Sequence, residues 1–97
     1  MLKITIIDTP TEQKLRLEGR LAEPELSELR EVWHQACEAR GARTCVVDLR
    51  GVTFIDENGE GALMRMKGNG AQFVACGVST THQLSELGIE CLRSKNQ

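Results

Sequence analysis

An apolar segment, an acidic turn and a glycine-containing helix follow one another directly in the middle of this chain. Residues 45–49 have the apolar character of a buried strand, and residues 50–55 continue them as a short, largely apolar connection. Asp56 then precedes a helical pattern over residues 58–67. Unpaired N–H groups and the dipole at a helix start favour negative charge. The order therefore predicts a strand-to-helix junction with an acid at the turn.

The first part of the chain has the pattern of a hairpin. Residues 4–7 and 14–17 have strand character, and the second segment alternates polar and apolar side chains. The turn-forming residues 8–12 lie between them, which predicts an antiparallel hairpin. Gly19 is expected to end the second strand.

Helical spacing follows the hairpin. Pro24 is predicted at the first helical position, between two glutamates that suit the positive end of the dipole. Apolar residues then recur at Leu26, Leu29 and Trp33, which indicates one buried face. Gly41 is the expected stop, in the left-handed conformation.

The remaining elements alternate between helix and strand. Ala62, Leu63 and Met66 are expected to face inward from the second helix, and residues 68–70 break it. Residues 72–76 predict a buried strand, and residues 89–92 a short edge strand. Between them, Thr80 and Gln83 fit a capping box at the start of a third helix, with Leu84 and Leu87 inward and Gly88 at its end.

Two strands followed by alternating helices and strands predict an α/β fold. We expect a single domain, residues 1–97, with a mixed β-sheet that contains the N-terminal hairpin and parallel strands. Right-handed connections between the parallel strands would place the helices together on one face.

Three segments resemble the STAS domain, the family that includes bacterial anti-sigma factor antagonists and the cytoplasmic ends of sulfate transporters. They are residues 17–21, 46–56 and 77–79, in that order along the chain. In regulatory members the turn is Asp-Ser-Ser-Gly or Asp-Ser-Thr-Gly, and the first hydroxyl after the Asp accepts a phosphate from an anti-sigma kinase. Here Glu57 occupies that position and Asn58 the next. Neither side chain can be phosphorylated.

Two further departures concern the second helix. Glu60 stands where the family usually has an apolar residue between two glycines, and the helix is about one turn shorter than usual. Three interpretations of Glu57 stay open: a mimic of the phosphorylated, partner-released form, an unswitchable binding surface, or a favourable acid in a first helical turn. A carboxylate has less charge and fewer acceptor oxygens than a phosphate, so any mimicry is partial.

The resemblance implies a non-enzymatic protein-interaction module, related to anti-sigma factor antagonists, that lacks the usual switch. Its expected partner is a protein, such as an anti-sigma factor or a related kinase-like protein. The predicted partner-binding residues are Asp56, Glu57, Asn58, Gly59, Glu60, Arg65 and Lys67. The alternatives are a module that binds a small ligand, nucleotide or lipid, and a subunit of a larger regulatory assembly.

Composition excludes several other classes of partner. A net charge of -2 and three aromatic residues argue against nucleic acid. No apolar run approaches the roughly 18 residues that span a bilayer, and the N-terminus lacks a signal-peptide pattern. We therefore expect a cytoplasmic protein with no membrane partner.

No pattern indicates a metal, a cofactor or catalysis. The four cysteines lack C-x-x-C spacing; Cys45 and Cys76 are expected to pack in strands, while Cys37 and Cys91 have no predicted role. The acidic turn imitates half of a calcium-binding loop, but Lys67 stands where the final Glu is required. No nucleophile has an evident base, and Thr53 and Ser79 remain conceivable phosphoacceptors.

Overall fold

The computed structural model describes residues 2–75 and 77–91. These residues form four strands and three helices. In chain order they are β1 Leu2–Asp8, β2 Glu12–Leu21, α1 Leu26–Arg40, β3 Thr44–Ile55, α2 Glu57–Gly68, β4 Gln72–Val74 and α3 Val78–Glu86.

The strands lie in one mixed sheet in the order β1-β2-β3-β4. β1 and β2 pair antiparallel, from Leu2 opposite Gly19 to Asp8 opposite Gln13. β3 pairs parallel to both β2 and β4. The predicted α/β fold with an N-terminal hairpin and parallel strands is confirmed.

β3 extends well beyond the strand predicted from the largely apolar residues 45–49. The predicted connection over residues 50–55 is wrong, because these residues continue the strand and pair with β2 as far as Leu21 opposite Ile55. β3 takes up an extra residue at each of two register shifts along β2, one between Arg16 and Glu18 and one at Gly19. Gly19, with φ 105°, therefore lies at a strand irregularity, and it does not end β2.

One face of the sheet carries the core. Side chains from β2 and β3, including Leu15, Leu17 and Val47, form a single buried cluster with residues from all three helices. Because side chains alternate along a strand, this cluster places the helices together on that face, and Val46 and Asp48 point to the other.

Asp48 is a buried carboxylate on the face away from the helices, with a side-chain exposure of 2%. Arg50 binds it through two guanidinium hydrogen bonds of 3.0 and 2.9 Å, and Arg16 lies 3.9 Å away. The hydrogen bonds from Arg50 hold the pKa of Asp48 below its usual value. The buried charge is thus paired, as burial requires.

The helix boundaries differ in detail from the predicted ones. α1 begins at Leu26 with Glu25 as its N-cap, so Pro24 at the first helical position is wrong. The Glu23–Pro24 peptide is cis, and Ser27 donates a hydrogen bond to the Pro24 carbonyl through both its backbone N–H and its hydroxyl. Gly41 does follow the helix, with φ 63° and ψ -131°, which lies outside the left-handed helical region.

α3 also begins differently. It starts at Val78 with Gly77 as the N-cap and no side-chain cap, so the capping box of Thr80 and Gln83 is wrong. The side chain of Gln83 reaches another element instead. Gly88, with φ 78°, follows the end of the helix as expected.

The described cysteines fit packing roles. Cys45 is buried in β3, and burial raises the pKa of its thiol. Cys37 and Cys91 are half-buried against the core, and Cys91 forms an isolated bridge with Phe73. Cys76 and the end of the predicted edge strand, Leu92, lie outside the described residues.

Candidate functional site

The turn between β3 and α2 is held by its own first residue. Asp56 is the N-cap, with an extended backbone, and its carboxylate accepts a 2.7 Å hydrogen bond from the Gly59 N–H. The Asp56 N–H donates to the Leu21 carbonyl at 3.1 Å, which ties the turn to the end of β2. Asp56 therefore positions the turn, and its carboxylate is used inside the domain.

Gly59 lets α2 approach the sheet closely. A Cβ at this position would overlap the carbonyl oxygen of Leu21 and lie 3.0 Å from the side chain of Ile55. Gly61, two residues later in α2, has nothing within 4 Å of an added Cβ. The two glycines of α2 thus have different roles, and Gly59 belongs to the scaffold of the site.

Glu57 and Asn58 are the exposed residues of the turn. Both lie in the first turn of α2 and point away from the core. Among residues 2–75 and 77–91 no hydrogen bond or ion pair joins Glu57 to another side chain. Its carboxylate, next to the positive end of the helix dipole, is presented outward.

Glu60 does not share this outward position. It is half-buried, and its Oε2 accepts a 2.7 Å hydrogen bond from Gln83 Nε2. The same amide group donates to the Ile55 carbonyl at 3.1 Å. Gln83 thereby joins α3 to both the end of β3 and the first turn of α2. No local sequence pattern predicts this contact, because its partners lie 28 and 23 positions away.

The two predicted cations lie on opposite sides of α2. Lys67 Nζ donates a 2.6 Å hydrogen bond to the Gly88 carbonyl, just after α3. Arg65 lies on the other side, where α2 faces α1. The structure therefore does not bring Arg65 and Lys67 together on one surface.

The exposed ridge of α2 contains a residue that the sequence interpretation missed. Glu57, Gly61 and Met64 follow the i, i+4, i+7 spacing of one helix face. Met64 is 49% exposed although it is apolar. The spacing alone could have identified Met64, because Ala62, Leu63 and Met66 had already defined the buried side.

Other candidate residues have structural surroundings. Thr53 Oγ1 donates a 3.2 Å hydrogen bond to the Gly19 carbonyl, and Ser79 is exposed at the start of α3. His34 and His82 are exposed, each within 3.4 Å of a glutamate one helical turn later. In the part of the chain that the structure describes, no group of three His, Cys, Asp or Glu side chains is arranged to hold a metal ion.

None of the three helices combines the length and the apolar character that crossing a bilayer requires, within the described ranges. No protein-family model matches the chain, and no curated protein matches its sequence.

Three solved structures share the fold. An anti-sigma factor antagonist from Mycobacterium paratuberculosis superposes with a TM-score of 0.86 over 99% of this chain and 89% of its own, at 15% identity. The anti-sigma factor antagonist SpoIIAA in its unphosphorylated form gives 0.65 over 97% and 91%, at 19% identity. A DUF3478-family protein with a SpoIIAA-like fold from Shewanella loihica gives 0.62 over 98% and 88%, at 9% identity. These likenesses confirm the SpoIIAA-like, STAS-type fold.

Proposed function

We propose that this SpoIIAA-like domain is a non-enzymatic protein-interaction module of the anti-sigma factor antagonist type. Its partner would be an anti-sigma factor or a related kinase-like protein, and it would act in the cytoplasm. The observation that carries the proposal is the exposed Glu57 carboxylate at the start of a rigidly held helix, in a fold that it shares with two anti-sigma factor antagonists.

The proposed contact surface is the exposed ridge of α2, defined as Glu57, Asn58, Gly61 and Met64, with Arg65 at its side. Methionine and arginine are enriched where proteins bind one another. Asp56 and Gly59 support this ridge from below through the contacts described above. Glu60 and Lys67 are excluded from it because their polar groups bind Gln83 and Gly88.

We further propose that the module is unswitched. The position of the family's phosphoacceptor carries a fixed carboxylate, and the neighbouring Asn58 offers no hydroxyl. Because Glu57 is exposed, its charge acts on a partner and contributes little to packing. The small-ligand alternative, with an anionic group of the ligand at the start of α2, is disfavoured because the Asp56 carboxylate already accepts the Gly59 N–H there and Glu57 adds a second negative charge.

Affinity capture from the native cell with quantitative mass spectrometry tests this function. The wild type should enrich a protein partner, and Glu57→Lys should lower the enrichment about tenfold, since it reverses a charge at the contact surface. Glu86→Lys makes the same charge change on α3, where Glu86 is exposed, and should have little effect. An increase in capture by Glu57→Gln would instead support the partner-released interpretation.

A second pair of variants tests the ridge itself. Met64→Asp should abolish capture, because a charge would replace the exposed apolar side chain of the ridge. Val78→Asp introduces the same charge at another exposed apolar residue, at the start of α3. Equal capture by both variants would contradict the assignment of the ridge.

A further inference from the structure

α1 and α2 leave a groove between them on the outside of the helix layer. It encloses about 330 Å³, which lies at the lower end of the range of about 300–1,000 Å³ for small-molecule sites. Its apolar lining comes from both helices: Leu29, Trp33, Cys37, Ala62 and Met66. The volume corresponds to roughly 11 non-hydrogen atoms, at the roughly 30 Å³ that a water molecule occupies in the liquid.

The polar lining of the groove includes two arginines. Arg30, His34, Arg65 and Asn69 contribute to it, and no carboxylate of the described residues does. Arg30 Nη2 lies 2.6 Å from Glu23 Oε2, and His34 Nε2 lies 3.4 Å from Glu38 Oε2. Both glutamates are outside the groove lining. Arg65 forms no ion pair with any residue in the described ranges. Its charge is therefore available to a ligand.

A second arginine, Arg40, which forms no ion pair with any described residue, adjoins the same end of the groove. The Arg40 guanidinium lies 5.8 Å from the centre of the Trp33 ring and donates a 3.4 Å hydrogen bond to the Asn69 carbonyl. Asn69 in turn donates to the Arg65 carbonyl at 2.9 Å. The contacts place Arg40, Asn69 and Arg65 in one polar region next to the apolar lining.

Trp33, in the groove lining, has a buried hydrogen-bond donor without an acceptor among the described residues. The residue is 92% buried, since 8% of its surface is exposed, and the donor is its indole Nε1–H. Leaving a buried donor unpaired is costly. The Trp33 ring forms part of the groove wall, so a ligand in the groove would lie against this ring.

We propose that the α1–α2 groove binds a small amphiphilic carboxylate. Its apolar chain lies against Leu29, Trp33 and Met66, and its carboxylate pairs with Arg65. Apolar lining with a few polar groups at one end is the usual construction of a small-ligand site. This inference does not depend on the proposed protein partner, because apart from Arg65, which adjoins both, it concerns the α1 side of α2 and not the exposed ridge.

Trp33 is the sole tryptophan of the chain, so its fluorescence reports on the groove directly. Titration with sodium octanoate, a carboxylate of the size that the groove admits, should give a saturable change in emission. Octylammonium chloride tests the charge preference, because its chain is the same and its head group is positive. It should bind about tenfold more weakly. Equal affinity for the two probes would overturn the proposal, and so would the absence of a saturable change with octanoate.

Two single-residue variants assign the head group. Arg65→Ala should weaken octanoate binding about tenfold, while Lys14→Ala, on β2 and outside the groove lining, should change it less than about twofold. Alkylation of Cys37, followed by peptide mass spectrometry, gives a second readout: octanoate should slow the reaction at Cys37 and leave that at Cys91 unchanged. Unchanged octanoate affinity in Arg65→Ala, or unprotected Cys37, would overturn the assignment.

Discussion

Along its α3 side, α2 is fixed by directed polar contacts, whereas its α1 side lines an open groove whose walls are largely apolar. On the α3 side, Glu60 binds Gln83 and Lys67 binds the Gly88 carbonyl. On the α1 side, Ala62 and Met66 line the groove, and the charge of Arg65 has no acidic partner in the described part of the chain.

This difference explains which charged residues of the helix are available for binding. Glu60 and Lys67 hold the domain together, so their charges are partly satisfied before any partner arrives. Arg65 and the exposed ridge around Glu57 and Met64 have no such internal use. Charge alone is therefore a poor guide to a contact surface, because the neighbouring element decides whether a charged group faces inward or outward.

The largest expected effect on stability is at Gly59, where α2 lies against Leu21 and Ile55 of the sheet. Gly59→Ala should lower the free energy of unfolding by about 2–3 kcal/mol, because the added Cβ would overlap the backbone of Leu21. Gly61→Ala is the matched control, since it meets nothing within 4 Å. It should stabilise the helix by up to about 1 kcal/mol. Urea denaturation of both variants measures the difference, and similar effects would contradict the close approach at Gly59.

On the α3 side, Gln83→Ala should lower the free energy of unfolding by about 1–2 kcal/mol, because two hydrogen bonds disappear and the Ile55 carbonyl loses a donor. A double-mutant cycle with Glu60→Ala isolates the side-chain pair. We expect a coupling energy of about 0.5–1 kcal/mol. Additive effects in thermal or urea denaturation would show that Glu60 and Gln83 do not interact.

The N-cap should contribute about 1 kcal/mol. Asp56→Ala removes the acceptor for the Gly59 N–H and should destabilise the domain by that amount, while Asp56→Ser keeps an acceptor and most of the stability. Circular dichroism during urea denaturation measures both. If the two variants were equally unstable, the cap would not be the function of this side chain.

The smallest expected effect compares the two cations of α2. Lys67→Ala should lower the free energy of unfolding by up to about 0.5 kcal/mol, since its hydrogen bond to Gly88 is exposed and screened by solvent. Arg65→Ala should leave stability unchanged while it weakens octanoate binding. A larger stability loss in Arg65→Ala than in Lys67→Ala would reverse the assignment of the two sides.

Much of the fold could be predicted because its signals are local. The alternation of residues 14–17, the helical spacing from Leu26 to Trp33 and the apolar segment around Val47 depend on neighbours within a few positions. The acid at the start of α2 was also predictable, since a helix start requires an acceptor wherever the helix lies. The same local chemistry identified the turn at Asp56 and Glu57.

The remaining features depend on contacts between residues far apart in the chain. The full length of β3 follows from its pairing with β2, and Gln83 finds its acceptor in Ile55, which lies 28 positions earlier. In the same way, packing of α1 against α2 created the groove beside Arg65. Local residue patterns were enough to predict the order and type of the elements and an acid that cannot be phosphorylated in the turn. Which charges of α2 are internal and which are exposed depended on the packing of the helices, because a side chain's partner is set by where the next element lies.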